Sequence, residues 1–387
     1  MAAFGLDVAG IEAARERAAR AAGSGGAALV ARARAGDPLA DVELATLLLA
    51  PDVPTETLLA VARARRPAGP RLETFSPLYL TNECDAACRM CGMRATNRDL
   101  VRETADDATV EEQLDILAAR GLRGVALLTG EYHAGPRRAA MIARAADALG
   151  GALRRGFRHV LVNIGALDVP EYDVLLAGVP RAGDGRIGPR VTMCTFQETY
   201  RPATYARFMG DDAANPRADF ARRLTNFDRA CDAGMWAANP GVLLGLDGDL
   251  AYELLALLAH VRHLERRGMD VYVSVPRLRK ATGTEYKAGV DDDAFCRLVA
   301  VLSFGAPRAK VVVSTRESPA IQRRLLDVIG VLTPGSPGVA PYTRTGARFE
   351  VDASQFEVLD HRPIEAILGD CLAAGATIDC YEPARPA

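Results

Sequence analysis

Ser76-Pro-Leu-Tyr-Leu-Thr-Asn-Glu-Cys-Asp-Ala-Ala-Cys-Arg-Met-Cys-Gly-Met-Arg-Ala95 reads as a strand running into a three-cysteine loop. Ser76 to Thr81 is a short apolar run of strand type, and Cys84, Cys88 and Cys91 follow in the pattern Cys-x3-Cys-x2-Cys. Three thiolates can hold three irons of a [4Fe–4S] cube and leave the fourth iron open to another ligand. A structural zinc site wants four ligands, usually in paired spacings. No fourth Cys or His lies nearby, the nearest His being His133. The spacing therefore favours a cluster over zinc or plain core cysteines.

Outward from this loop, the chain alternates apolar runs with helical stretches. The runs are Leu78–Asn82, Gly124–Thr129, His159–Ile164, Val191–Phe196, Ala237–Leu244, Val271–Val275, Val311–Thr315 and Val328–Leu332. Between most of them lie stretches of helical periodicity: Val110–Arg120, Ala139–Arg155, Pro216–Ala233, Leu250–Gly268 and Asp291–Phe304. Near-continuous apolar strands separated by helices predict a parallel sheet, here an α/β (β/α)8 TIM-type barrel over residues 71–345. Residues 1–70 form a helical extension, with helices expected at Ile11–Ala22, Asp41–Leu49 and Thr55–Arg65 and a break at Gly23–Gly26. A C-terminal extension, 346–387, carries a strand-like run at Arg348–Val351 and a helix at Pro363–Ala374.

The 387 residues are 49% apolar, enough to fill a large core, and the net charge of −2 predicts neither a nucleic-acid partner nor attraction to a membrane surface. Eight cysteines in a chain this long do not make a disulfide scaffold. The first residues lack the basic and apolar regions of a signal peptide, and no apolar stretch approaches a membrane span. The expected setting is cytoplasmic and reducing.

Barrel chemistry lies at the C-terminal ends of strands, which turns those ends into site candidates. They carry Thr129-Gly-Glu-Tyr132, Phe196-Gln-Glu-Thr-Tyr200, Ser274-Val-Pro-Arg-Leu-Arg279, Ser314-Thr-Arg-Glu317 and Leu332-Thr-Pro-Gly-Ser336. Glu131 sits in a turn that offers acceptors to an ammonium group, and Glu198 suits a ribose diol. Arg222 and Arg223 follow on a helix. One of them, turned inward, could pair with a carboxylate, while a solvated charge is the plainer reading for Arg222. Glycines at both ends of Asn239-Pro-Gly-Val-Leu-Leu-Gly245 permit close approach of a flat purine. Arg277, Arg279, Arg316, Thr333 and Ser336 gather on the other side of the mouth and suit a small anion such as an amino-acid carboxylate. Cys194, Cys231, Cys296, Cys371 and Cys380 read as structural, and the histidines have no metal spacing.

With these motifs in place, the chain resembles the aromatic amino-acid lyase group of radical S-adenosylmethionine (SAM) enzymes. That group includes the tyrosine lyases of thiamine biosynthesis and of hydrogenase maturation. Arg123-Gly-Val125, Leu128-Thr-Gly-Glu-Tyr132, Val191-Thr-Met-Cys194, Arg207-Phe-Met-Gly210, Asn239-Pro-Gly-Val242 and Pro334-Gly-Ser-Pro337 make it most similar to the tryptophan lyases that produce 3-methyl-2-indolic acid for thiopeptide antibiotics. The resemblance implies a lyase using a [4Fe–4S] cluster, S-adenosyl-L-methionine and an electron donor such as flavodoxin or ferredoxin. Cys84, Cys88 and Cys91 would hold the cluster. Glu131 would support the SAM amine, Glu198 the ribose and Arg223 the SAM carboxylate. Met90 stands where most members have an aromatic residue, and would cover the adenine. Tyr79 and Arg316 would hold the substrate, which for this branch is L-tryptophan, with Thr333 in place of a serine near the indole nitrogen. Tyrosine or a substituted tryptophan is the alternative substrate. Cys371 and Cys380 alone do not reproduce the second cluster motif of the hydrogenase-maturation enzyme.

Overall fold

A computed structural model of the protein describes residues 2–66, 69–284 and 289–383. The strands are β1 (Arg71–Glu73), β2 (Ser76–Tyr79), β3 (Gly124–Leu128), β4 (His159–Asn163), β5 (Arg190–Glu198), β6 (Ala237–Val242), β7 (Asp270–Ser274), β8 (Lys310–Ser314), β9 (Val331–Thr333) and β10 (Thr377–Asp379). They form one sheet in the order β10-β1-β9-β8-β7-β6-β5-β4-β3-β2. Every pair is parallel. From β2 to β9 each strand neighbours the next in sequence, the curled sheet of a TIM-type barrel.

The apolar runs divide with a period of two. Ala126, Leu161, Cys194, Tyr272 and Val312 point into the barrel with Phe75 and Val331. Their neighbours Val125, Leu127, Val160, Val162, Val271, Val273, Val311 and Val313 pack outward into the main core. Both faces are covered, which is why the strands look continuously apolar in sequence. The barrel's seam lies between β2 and β9. Among the described residues no ladder joins them; Tyr79 of β2 instead makes an isolated bridge to Val339, in the segment after β9. Ser76 Oγ donates to Pro334 O at 2.9 Å and Thr74 Oγ1 to Leu332 O at 2.8 Å across the same seam.

Several expected boundaries move. The first barrel strand lies at Ser76–Tyr79 rather than 78–82, so the loop begins earlier. The helix expected over Pro216–Ala233 is two short helices, Phe220–Leu224 and Asn226–Asp232. They part at Thr225, whose hydroxyl bonds back to Ala221 O at 2.9 Å. Arg348–Val351 is not a strand: it enters a 3-10 turn, Val351–Ala353. The strands missed are β1 and β10, three residues each and thus too short for a periodic signal. The break expected at Gly23–Gly26 is present, since the first helix ends at Ala21, but a further helix not expected from the sequence, Gly26–Ala35, follows it from Ala, Leu and Arg. Within the N-terminal segment, Arg297 of the barrel donates to the carbonyls of Leu47, Leu48, Ala50 and Val53 and satisfies the C-terminal end of helix Asp41–Leu49. No helix among the described residues is long and apolar enough to cross a membrane.

The N-terminal end of the barrel is plugged by polar groups. Buried Glu73 bonds His159 Nδ1, Tyr272 Oη at 3.0 Å and Lys310 Nζ at 2.6 Å, and His159 Nε2 lies 2.7 Å from Thr192 Oγ1. Burial pushes the Glu73 carboxyl up, but His159 and Lys310 outweigh it and hold Glu73 ionised well below the usual carboxylate range.

Candidate active site

A cavity of about 220 Å³ opens at the C-terminal ends of the strands. Cys84, Cys88, Met90 and Cys91 form one wall, and Glu131, Glu198 and Arg223 stand beside them. Tyr79, Arg316 and Thr333 line the same space. The cysteine loop, the proposed cofactor residues and the proposed substrate residues thus share one chamber.

The loop is held close to the β3 turn. Gly130 has no room for a side chain, since a Cβ there would come within 2.1 Å of Glu83 O and 2.6 Å of the Cys84 Cβ. Two backbone N–H groups, those of Glu131 and Ala86, point at Cys84 Sγ from 3.3 and 3.4 Å. Donors placed this way satisfy a metal-bound thiolate. Burial pushes the unmetallated thiols up, Cys84 to about 11 and Cys88 to about 12, so cluster binding must displace protons. Around a single zinc, thiolate sulfurs sit about 3.8 Å apart, given Zn–S bonds of ~2.3 Å. Among the described residues, these three sulfurs do not form a group within 4.8 Å of one another. The donor set fits a cube, with Cys84, Cys88 and Cys91 as its ligands, and not one zinc ion.

Glu198 ends β5 at a register shift, with φ 68. A bulge there bends the strand end, and Glu198 lines the cavity. Glu131 pairs with Arg223 Nη1 at 2.8 Å and its Oε1 accepts from Ala166 N at 3.2 Å. Burial raises the Glu131 carboxyl, yet the Arg223 and Arg217 guanidiniums outweigh it and keep it ionised. Arg223 also donates to Phe196 O at 2.6 Å. Arg222 pairs with Asp168 at 2.9 Å outside the cavity, as a helix-surface charge does.

The other half of the mouth is built differently from expectation. Arg277 and Arg279 both pair with buried Glu317, Arg279 Nη2 at 2.7 Å, and Arg277 also with Asp292 at 2.7 Å. Arg277 is therefore committed to the fold, and Ser336, which donates to Arg348 O at 2.5 Å, does not line the cavity. Arg316 remains. Its guanidinium carbon lies 3.3 Å from the Phe356 ring centroid, and the guanidinium's one hydrogen bond among the described residues, Nη1 to Arg277 O at 3.5 Å, is long. Burial pulls its pKa down to about 10. At Gly241 a Cβ would meet the Phe196 ring at 2.4 Å, so this glycine makes room for a protein side chain.

Four cavity residues have no role in the site expected from the sequence. Arg217 is buried and pairs with Glu198 Oε1 at 2.7 Å, while its Nε has no hydrogen-bond partner among the described residues. Cys194, read as core, faces the cavity and donates to Asn239 Oδ1 at 3.3 Å. Gln355 and Phe356 arrive from the C-terminal segment. An arginine beside a short breaker run, Asn215-Pro-Arg217, was the only available signal, and a weak one.

Residues 274–373 match the family model described as Biotin and Thiamin Synthesis associated domain. The chain is 28% identical over 321 residues to the 2-iminoacetate synthase of Escherichia coli K12, covering 80% of this chain and 78% of that protein. Among solved structures, a [FeFe]-hydrogenase maturase HydG is 27% identical with a TM-score of 0.77, covering 96% of this chain and 80% of that one. HydG of Carboxydothermus hydrogenoformans, 24% identical, shares the fold with a TM-score of 0.81 over 96% of this chain and 83% of that one. The chain is a radical SAM enzyme, and its cofactors are a [4Fe–4S] cluster and S-adenosylmethionine. These relatives support the aromatic amino-acid lyase group as a whole and do not support its tryptophan-lyase branch in particular.

Proposed function

We propose that the protein removes the side chain of an aromatic L-amino acid, with tyrosine as the substrate. The observation that carries this reading is the shared chamber of Tyr79, Arg316 and the cysteine loop, in a chain similar to a 2-iminoacetate synthase. 2-Iminoacetate is what remains of an α-amino acid when the Cα–Cβ bond breaks and the Cα–N bond is oxidised. When bound, the cluster and SAM supply a 5′-deoxyadenosyl radical able to take a hydrogen atom. Glu198 and Arg223 hold SAM on the cysteine side, and Met90 offers the adenine an apolar, polarizable cover. Arg316 takes the substrate carboxylate with its planar fork. Tyr79 holds the amino group. The Thr333 hydroxyl, which has no hydrogen-bond partner among the described residues, faces the ring end.

Conversion of tryptophan to 3-methyl-2-indolic acid is the second reading. The motif likeness around Thr129–Tyr132 and Pro334–Pro337 favours it, as does a Thr333 hydroxyl able to accept from an indole N–H. Anaerobic incubation of the reconstituted enzyme with SAM, reductant and each amino acid separates the two. Tyrosine should give p-cresol and glyoxylate, the hydrolysis product of 2-iminoacetate, with 5′-deoxyadenosine. A carboxylated methylindole from tryptophan, with no cleavage of tyrosine, would overturn the tyrosine reading.

A further inference from the structure

Residues 352–359 cross the mouth of the barrel as a strap. On the cysteine side, Val101 N donates to Asp352 O at 2.8 Å, Asn82 Nδ2 to Ala353 O at 2.9 Å and Gly92 N to Gln355 O at 3.1 Å. On the far side, Leu359 N donates to Thr315 O at 2.9 Å, beside Arg316. Gln355 sits between the two anchors, with its side chain in the cavity. Its Nε2 donates to Cys91 Sγ at 3.5 Å, and its Oε1 accepts from the Tyr79 hydroxyl at 2.6 Å.

The chemistry of the partners fixes the amide's orientation. A cluster thiolate only accepts, so the amide nitrogen must face Cys91. The amide oxygen must then face Tyr79, and the phenol must be the donor. The Tyr79 proton is thereby committed, and its oxygen lone pairs are what remains for a substrate.

We propose that Gln355 is a positioning residue joining the two halves of the site: it donates a hydrogen bond to the cluster through Cys91 and turns Tyr79 into an acceptor for the substrate amine. Hydrogen bonds to cluster sulfurs favour the more negative, reduced state and so raise the reduction potential. The Tyr79 half rests on the substrate reading above; the cluster half does not.

The test uses reconstituted holoenzyme of the parent, Gln355→Glu and Gln355→Leu. The cluster potential is measured by potentiometry with electron paramagnetic resonance (EPR), without amino acid, and tyrosine affinity is measured separately. Both variants should keep the parent's iron content and show a more negative potential, Gln355→Glu the more so because it adds a charge. Gln355→Glu keeps an acceptor for Tyr79 and should bind tyrosine within about twofold of the parent. Gln355→Leu loses that acceptor and should bind several-fold more weakly. Unchanged potentials in both variants overturn the inference, as does equal weakening of tyrosine by both. If the parent binds neither tyrosine nor tryptophan, the substrate reading falls, and the potentials alone still decide the role of Gln355.

Discussion

The two ends of the barrel hold comparable sets of buried charge and use them in opposite ways. At the N-terminal end, Glu73 is surrounded by His159, Tyr272 and Lys310, and its capacity is spent within the protein. Arg190 beside Glu73 and, at the C-terminal end, Arg217 and Arg279 each have a buried Nε without a hydrogen-bond partner among the described residues, but only Arg217 and Arg279 line the cavity, with Arg316, whose guanidinium makes one long bond. Buried donors left unpaired are costly. A fold that tolerates them beside a cavity has placed them for something that binds there. The comparison separates charge that holds the barrel together from charge that waits for ligands.

The sharpest way to break this distinction is at the plug. Removing one member of a buried ion pair costs about 3–5 kcal/mol. Glu73→Ala should therefore lower unfolding free energy by that amount in denaturant titrations, while the folded fraction keeps the parent's rate of 5′-deoxyadenosine formation. Loss of turnover at unchanged stability would put the plug in the mechanism.

Glu253 tests the boundary between the ends. It lies behind the mouth, where it accepts from Thr199 Oγ1 and from Tyr200 N at 2.9 Å, and burial raises its carboxyl from 4.5 to about 7. Between those values the unfolded chain loses a proton that the folded chain keeps. Stability contributed by the protonated form is thus present below pH 4.5 and is lost as pH rises through about 7. Glu253→Gln should match the parent near pH 4.5 and exceed it at pH 8, by up to roughly 3 kcal/mol at ~1.4 kcal/mol per pKa unit. Parallel pH–stability curves for the two proteins would remove Glu253 from this role.

At the open end, Arg316→Lys loses the planar fork. A hydrogen bond to a charged group is worth about 1.5–3 kcal/mol, so amino-acid affinity should fall about tenfold or more without vanishing. The variant should still form 5′-deoxyadenosine, with a larger share not coupled to product. An unchanged product mixture, made only more slowly, would take Arg316 out of fragment positioning. The smallest effect is expected for Thr333→Val, which removes a single hydroxyl at the ring end. A neutral hydrogen bond contributes about 1 kcal/mol, a several-fold change in affinity for a ring that carries a polar atom and none for phenylalanine. Equal losses for tyrosine and phenylalanine would show a packing effect instead.

The legible and illegible residues divide along physical lines. Cys84, Cys88 and Cys91 are readable because the ligand spacing lies within one short loop. Glu131, Glu198 and Arg316 are readable because each ends an apolar run, and barrel strand ends point to one mouth. Arg277 was misplaced because sequence cannot tell which arginine a neighbouring carboxylate will claim; Glu317 takes Arg277 and Arg279 and leaves Arg316. Gln355 and Phe356 were invisible. They come from a segment without periodicity, more than 260 positions from Cys91 and Tyr79, and reach the site only because that segment is strapped across the mouth.

The central claim is that the open end holds a cluster with a free iron for SAM. Iron counting and EPR of the anaerobically reconstituted protein, with and without SAM, test it most directly. The account predicts about four irons per chain, a reduced-cluster signal that changes when SAM is added, and loss of both in Cys88→Ala. A signal indifferent to SAM, or a full cluster retained in Cys88→Ala, would contradict it.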